Sequence, residues 1–145
     1  MIVTKALGNR NSMDFEEREV ETVELEWYEM NKKILKKVSS WGEEVGFRME
    51  SHLHHGDVIY MDEKKVMVID IKSCELIEIP VNSIKEMGKL CYEIGNRHLS
   101  VHIGEDVVKI PFDNPTFEHL KKLGFKPEKV VEKFLGFTES HGHSH

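Results

Sequence analysis

Nine histidines occur in this chain of 145 residues, and histidine is both the commonest metal ligand and the side chain that titrates nearest neutrality. Their placement suggests that the chain binds a transition-metal ion through imidazoles. His98 leads the candidates because it follows Gly95-Asn96-Arg97, where a helical pattern stops and a strand pattern begins. His141, His143 and His145 come next, alternating with Gly142 and Ser144 in a segment with no apolar residue after Phe137. Such a tail should be mobile and metal-seeking. It also resembles a polar end or a cloning remnant, but an affinity tag would show consecutive histidines. From Leu135 the remaining residues extend up to about 34 Å, ample to fold back over a nearby site.

Strand geometry limits what His98 can do alone. If side chains alternate from His98 onward, Leu99, Val101 and Ile103 face one way while His98, Ser100 and His102 face the other. At about 3.3 Å per residue His98 and His102 are then roughly 13 Å apart, too far to share one ion. A single imidazole holds a divalent metal poorly, so its companions must come from a second chain, a flexible segment or both. A two-fold dimer supplies two copies of the same residue about its axis. On spacing alone, a surface histidine beyond a helix cap is the simpler reading of His98, with Asn96 tolerating a left-handed backbone and Arg97 solvated. Neutral imidazoles suit Ni(II), Cu(II) and Zn(II) alike, and without paired Cys-x-x-Cys thiolates a structural zinc or iron–sulfur site is disfavoured. Because imidazole must be neutral to ligate, affinity should fall as pH drops through about 6.5.

Enzymatic readings find little support. The metallohydrolase signature His-Glu-x-x-His is absent. His52-Leu53-His54, with His55 beside it, has the His-x-His spacing of some hydrolase sites, but it falls in a turn region and lacks a carboxylate base from a deep cleft. A polar hairpin corner explains that cluster better than a second metal site does. Cys91 lies on the apolar stripe of a helix, where a thiol behaves as a small hydrophobe.

The elements that position these residues fall into two halves. From Val20 to Ile71 apolar residues mostly alternate with charged ones, as in Val23, Leu25, Trp27 and Val45, Phe47, Met49, which predicts a half-buried antiparallel sheet. Gly42, Gly56-Asp57 and the run Met61 to Lys65 supply turns. After Ser73 the pattern changes. Leu76 to Val81 reads as a strand, and Ile84, Met87, Cys91 and Ile94 recur at helical spacing until Gly95 can close the helix. Leu99 to Ile103 and Val108 to Ile110 read as strands. Asn114 then caps, and Pro115 opens, a helix ending near Gly124, with Glu118 early and Lys121 and Lys122 late. Val130 to Phe134 fits a helical turn or a strand about equally; as a strand it makes the second half βαββαβ, a ferredoxin-like arrangement. The fold class is thus α+β. Residues 1–73 are expected to form a small all-β N-terminal domain, 74–137 a second domain, ferredoxin-like if its last segment is a strand and carrying the metal candidate His98, and 138–145 the flexible histidine-containing tail.

Composition narrows the partners. Twenty Lys and Arg against 26 Asp and Glu give a net charge of −6, which repels phosphate backbones, so nucleic acid is not an expected partner. No apolar run approaches the roughly 18 residues of a spanning helix, so neither a membrane anchor nor an export signal is expected. Cys74 and Cys91 suit reduced, mostly buried thiols and a cytoplasmic location.

Read as a string, Gly95-Asn96-Arg97-His98, preceded by Glu86-Met87-Gly88-Lys89 through Glu93-Ile94, resembles the signature of the UreE urease accessory proteins, which are nickel metallochaperones. The resemblance extends to Gly56-Asp57-Val58 in a β-rich first half, to the order of elements in the second, and to the histidine-containing C-terminus. It implies a first domain of peptide-binding type, a ferredoxin-like second domain whose last strand is Val130 to Phe134, and a homodimer. Ni(II) is then cargo, held between subunits by His98, with His143, His145 and, as a third candidate, His141 completing the site. Zn(II) or Cu(II) could bind in vitro. The implied partners are the urease accessory GTPase and the apo-urease activation complex, and no enzymatic activity is implied. Some relatives carry extra histidines where Lys109, Pro111 and Phe112 stand here, so auxiliary storage sites are not expected on that strand. The competing reading from another class is a metal-responsive regulatory module that retains Ni or Zn and changes its affinity for a protein partner.

Overall fold

Strand-forming residues dominate the first 72 positions, and a computed structural model, which describes residues 1–136, resolves them into seven short strands. These are β1 (Ile2–Val3), β2 (Gly8–Asn9), β3 (Glu19–Leu25), β4 (Ile34–Val38), β5 (Glu44–Arg48), β6 (Asp57–Met61) and β7 (Lys65–Ile71). They form two sheets, β1-β5-β4 and β2-β6-β7-β3, in a compact unit spanning Met1–Lys72. Alternation works as the sequence suggests. Val23 and Leu25 of β3, Val45 and Phe47 of β5, and Met67 and Ile69 of β7 share one core, while Val66 and Val68 on the other face of β7 meet Val58, Met13 and Phe15.

The direction of pairing differs from the expected antiparallel sheet. β4 and β5 are an antiparallel hairpin turning at Gly42 (φ 87°), and β6 and β7 are antiparallel too, but β3 runs parallel to β7 and β1 parallel to β5. The sheets are therefore mixed. Alternation reports which side chains are buried and is blind to the sense of the neighbouring strand. Glu21 of β3 is fully buried, and its charge is met by Lys65 Nζ at 2.7 Å and by the Ser39 hydroxyl. That pairing is what makes a carboxylate tolerable in such a position.

The second unit begins at Ser73 and comprises β8 (Cys74–Pro80), α1 (Ile84–Asn96), β9 (His102–Ile103), β10 (Val107–Pro111), α2 (Asn114–Lys122) and β11 (Glu128–Glu132). Its sheet order is β11-β8-β10-β9 with every pair antiparallel, the ferredoxin-like βαββαβ arrangement. The fold class of the chain is α+β. Ile77 and Ile79 of β8 and Val108 and Ile110 of β10 meet Leu90 and Ile94 of α1 and Leu120 of α2 in one core. The ambiguous segment is a strand over its first part, since β11 ends at Glu132 and Phe134 lies beyond it. Truncating Leu90 or Leu120 to alanine is the kind of core deletion that costs about 2–5 kcal/mol.

Three helix details depart from the sequence reading. Ile84 is 94% exposed, so the buried stripe of α1 is Leu90 and Ile94, with Met87 and Cys91 half-buried. Asp113, one position earlier than expected, caps α2 by accepting the Thr116 amide. Gly95 does not close α1, which runs through Asn96. Among the described residues no helix is long and apolar enough to cross a membrane.

Candidate metal centre

Ser83 starts α1 by accepting the Glu86 amide at 3.1 Å. The other end of the helix leads to His98. Arg97 is the C-cap, the His98 amide donates to the Gly95 carbonyl at 3.0 Å, and the Leu99 amide donates to Ile94 at 3.4 Å. These two bonds define a Schellman motif, in which the residue after the cap must take left-handed backbone angles. Here that residue is His98 itself, at φ 56°. Leu99 then packs on the core that Ile94 belongs to, which fixes the exit of the chain.

The helix cap replaces the strand geometry expected from the sequence. β9 holds only His102 and Ile103, so His98 lies on a helix cap and the alternation argument that separated it from His102 does not apply. His98 is exposed. Neighbouring side chains anchor that end. Arg97 Nη1 donates to Thr116 Oγ1 at 3.3 Å, and Thr116 donates its hydroxyl to Asp113 Oδ2 at 2.6 Å. The Thr116 hydroxyl and amide, with Arg97 adding its charge, hold the Asp113 carboxyl below the usual carboxylate range. One turn earlier, Glu93 Oε1 meets His119 Nε2 at 2.9 Å. The last turn of α1 is thus tied twice to α2. Sequence reasoning passed over His119, because the only signal for its role is a contact between helices 26 residues apart.

The other candidates are distributed as follows. His102, half-buried on β9, places Nδ1 at 3.0 Å from the carbonyl of Gly136. His141, His143 and His145 lie outside the described residues. The His52, His54, His55 cluster forms a turn corner: the Gly56 backbone is at φ 85°, and the His54 amide donates to the buried Asp57 at 2.8 Å. His54 Nδ1 is 3.6 Å from the same carboxylate, and Asn9 donates to Asp57 and to the His55 carbonyl. His55 Nδ1 accepts the Ile71 amide at 3.1 Å, so that nitrogen is occupied by the fold. Gly56-Asp57 is accounted for as a structural turn.

Sulfur offers no alternative centre. Cys74 and Cys91 are not joined by a disulfide, and burial pushes the Cys91 thiol up, away from the thiolate that a metal takes. On β10, Lys109 Nζ binds Glu132 at 2.8 Å, and Phe112, just beyond that strand, lies tilted against Phe117 and under Lys129. Among the described residues no group of three or more His, Cys, Asp or Glu side chains could hold a metal ion. What this arrangement offers chemically is one exposed imidazole on a helix cap, and a single imidazole holds a divalent metal poorly without ligands from elsewhere.

Comparison with known proteins agrees with the two units. Residues 3–72 match the N-terminal domain of the UreE urease accessory protein, and residues 74–145 match its C-terminal domain. The chain is similar to a urease accessory protein UreE of Flavobacterium johnsoniae, 39% identical over 151 residues, covering 99% of this chain and 92% of that one. It is also similar to a protein of the same name from Acetivibrio thermocellus, 40% identical over 153 residues, covering 99% of this chain and all of the relative.

Proposed function

Since the chain belongs to the UreE family of urease accessory proteins, we propose that it is a nickel metallochaperone that captures Ni(II) between two subunits and delivers it to the machinery assembling the urease active site. The observation that carries this reading is the geometry of His98, an exposed residue on a left-handed helix cap, in a chain with no group of three or more His, Cys, Asp or Glu able to hold a metal among the described residues. A two-fold homodimer brings two such rings to one axis. The outward face of α1 supports that pairing, for Ile84 and Tyr92 are 94% and 71% exposed and Gly88 and Gly95 lie on the same side, leading to His98.

His143 and His145, with His141 as a third, complete or cover the site from the tail. The ion is cargo, and Zn(II) or Cu(II) binds the same donors in vitro. A carrier needs ligands that leave one at a time, and tail imidazoles exchange for those of a recipient without unfolding the core. The recipients are the urease accessory GTPase and the apo-urease activation complex. The chain performs no catalysis, and its reduced cysteines fit the cytosol.

Native mass spectrometry with Ni(II) and Zn(II) tests this on the wild type, His98→Ala and a chain ending at Ser140. One high-affinity nickel per dimer is expected, lost in His98→Ala and weakened by the truncation. Nickel binding by His98→Ala at the wild-type level overturns the site. Retention of the ion when apo-urease and the GTPase are added identifies a metal-responsive regulator instead of a carrier.

A further inference from the structure

Four of the chain's twenty Lys and Arg fall close together, at Lys32, Lys33, Lys36 and Lys37, although the net charge is −6. They flank or belong to β4, an outer strand of its sheet. Register gives the direction of its backbone groups. The Met49 amide donates to the Lys33 carbonyl and the Ser39 amide to that of Glu43, and bonded pairs alternate along an antiparallel ladder, so Leu35 and Lys37 bond to β5. The N–H and C=O groups of Ile34, Lys36 and Val38 therefore point out from the open edge, and no described residue bonds them. The side chains of these three residues share one sheet face with Glu44, Gly46 and Arg48 of β5 and with Ile2 of β1. Ile34, Val38 and Ile2 are 77%, 61% and 65% exposed, and an added Cβ at Gly46 would lie 3.2 Å from Ile2 Cδ1, so Ile2 leans over the glycine. Lys36 thus stands among apolar groups.

We infer that the β4 edge accepts an extended segment of a protein partner as a further strand, one whose side chains on that face run apolar, acidic, apolar. Backbone bonds along an edge give affinity, and alternate side chains give selectivity. Lys37 is bound to Glu29 at 3.1 Å, but Lys36 and Arg48 make no ion pair among the described residues, so a carboxylate opposite Lys36 displaces nothing. A lysine on an edge strand ordinarily blocks pairing, and here it selects the partner. Two copies of β4 brought together antiparallel about Lys36 would set lysine against lysine, which disfavours a second copy as the occupant. An anionic lipid surface would meet the lysines but leave the N–H and C=O groups of the edge unpaired. No residue of the metal centre takes part. Peptide binding, expected of this unit from the resemblance, is narrowed to one edge, one mode of pairing and one charge.

Titration of the full chain with fluorescein-labelled heptapeptides tests this. One peptide carries valine, glutamate and valine separated and flanked by serines; the other has lysine in place of glutamate. The glutamate peptide should bind about tenfold more tightly than the lysine peptide, and Lys36→Glu should reverse that order with nickel stoichiometry unchanged. Methylating one alternate set of amide nitrogens in the glutamate peptide should abolish binding, while methylating the other set should leave it, since only one set faces the edge. Hydrogen exchange at the Ile34, Lys36 and Val38 amides should slow when the peptide binds. Equal affinity for the two peptides, or binding that neither methylated set disturbs, overturns strand addition at β4 and leaves peptide binding to another surface. Binding of neither peptide overturns both. Phosphatidylserine vesicles captured by the wild type and not by Lys36→Glu, with no protection of the edge amides, overturn it in favour of a membrane surface.

Discussion

The two helices of the second unit end alike, and the difference between them lies in one residue. Gly124 follows the cap of α2 at φ 95°, with its amide on Lys121 and that of Phe125 on Leu120. In α1 the corresponding residue is His98 at φ 56°, where an L side chain costs about 1–2 kcal/mol and glycine does not. Strain of this kind persists where function requires the side chain. His98→Gly and His98→Ala should both lose nickel, yet the glycine variant should be more stable than the alanine variant by about 1 kcal/mol in chemical denaturation. Equal stabilities mean that the left-handed cap does not form in solution. The sequence made His98 visible as a residue type beside Gly95, but the left-handed position falls three residues later, because the extent of α1 is set by how Leu90, Ile94 and Leu99 share a core.

At the level of elements, α1 presents His98 only as firmly as α2 holds it. The link is the chain Arg97, Thr116, Asp113, in which Asp113 is at once the N-cap of α2 and the acceptor that orients Thr116. Asp113→Ala should cost about 1 kcal/mol, read by urea unfolding at neutral pH. The acid dependence has a definite sign. The carboxyl lies below its ordinary 3.8, so its contribution is present above that value and is lost as pH falls through the lower folded-state value. Asp113→Asn, which caps without titrating, should therefore show a shallower loss of stability between pH 4 and pH 2 than the wild type; identical acid limbs count against the role given to Asp113. Elements themselves were largely legible, because α1, α2 and β8 to β10 declare their periods locally. The direction of β3 against β7 was not, since that pairing joins segments more than 40 residues apart with the β4–β5 hairpin between them. Nor was the Glu93–His119 contact, which depends on how two helices lie side by side.

For the whole molecule, the proposed function turns on one exposed imidazole making a poor metal site and two making a usable one. The apolar residues left uncovered on α1 bear on how the proposed second copy would be recruited. Ile84 and Tyr92 are large side chains on the outward face of the helix that ends at His98, and Gly88 and Gly95 permit close approach along the same face. In a two-fold pair, a residue on that face lies near its own copy, so a charge introduced there is repelled across the axis as well as desolvated. Tyr92→Glu should accordingly shift the chain from dimer to monomer in sedimentation, and nickel affinity should fall at least tenfold even though every proposed ligand is intact. Far-ultraviolet circular dichroism should stay unchanged, because Tyr92 contributes nothing to the core beneath α1. A Tyr92→Glu chain that remains dimeric and binds nickel as the wild type does would move the pairing surface to another face of this unit, and the two His98 rings would have to meet by a different route.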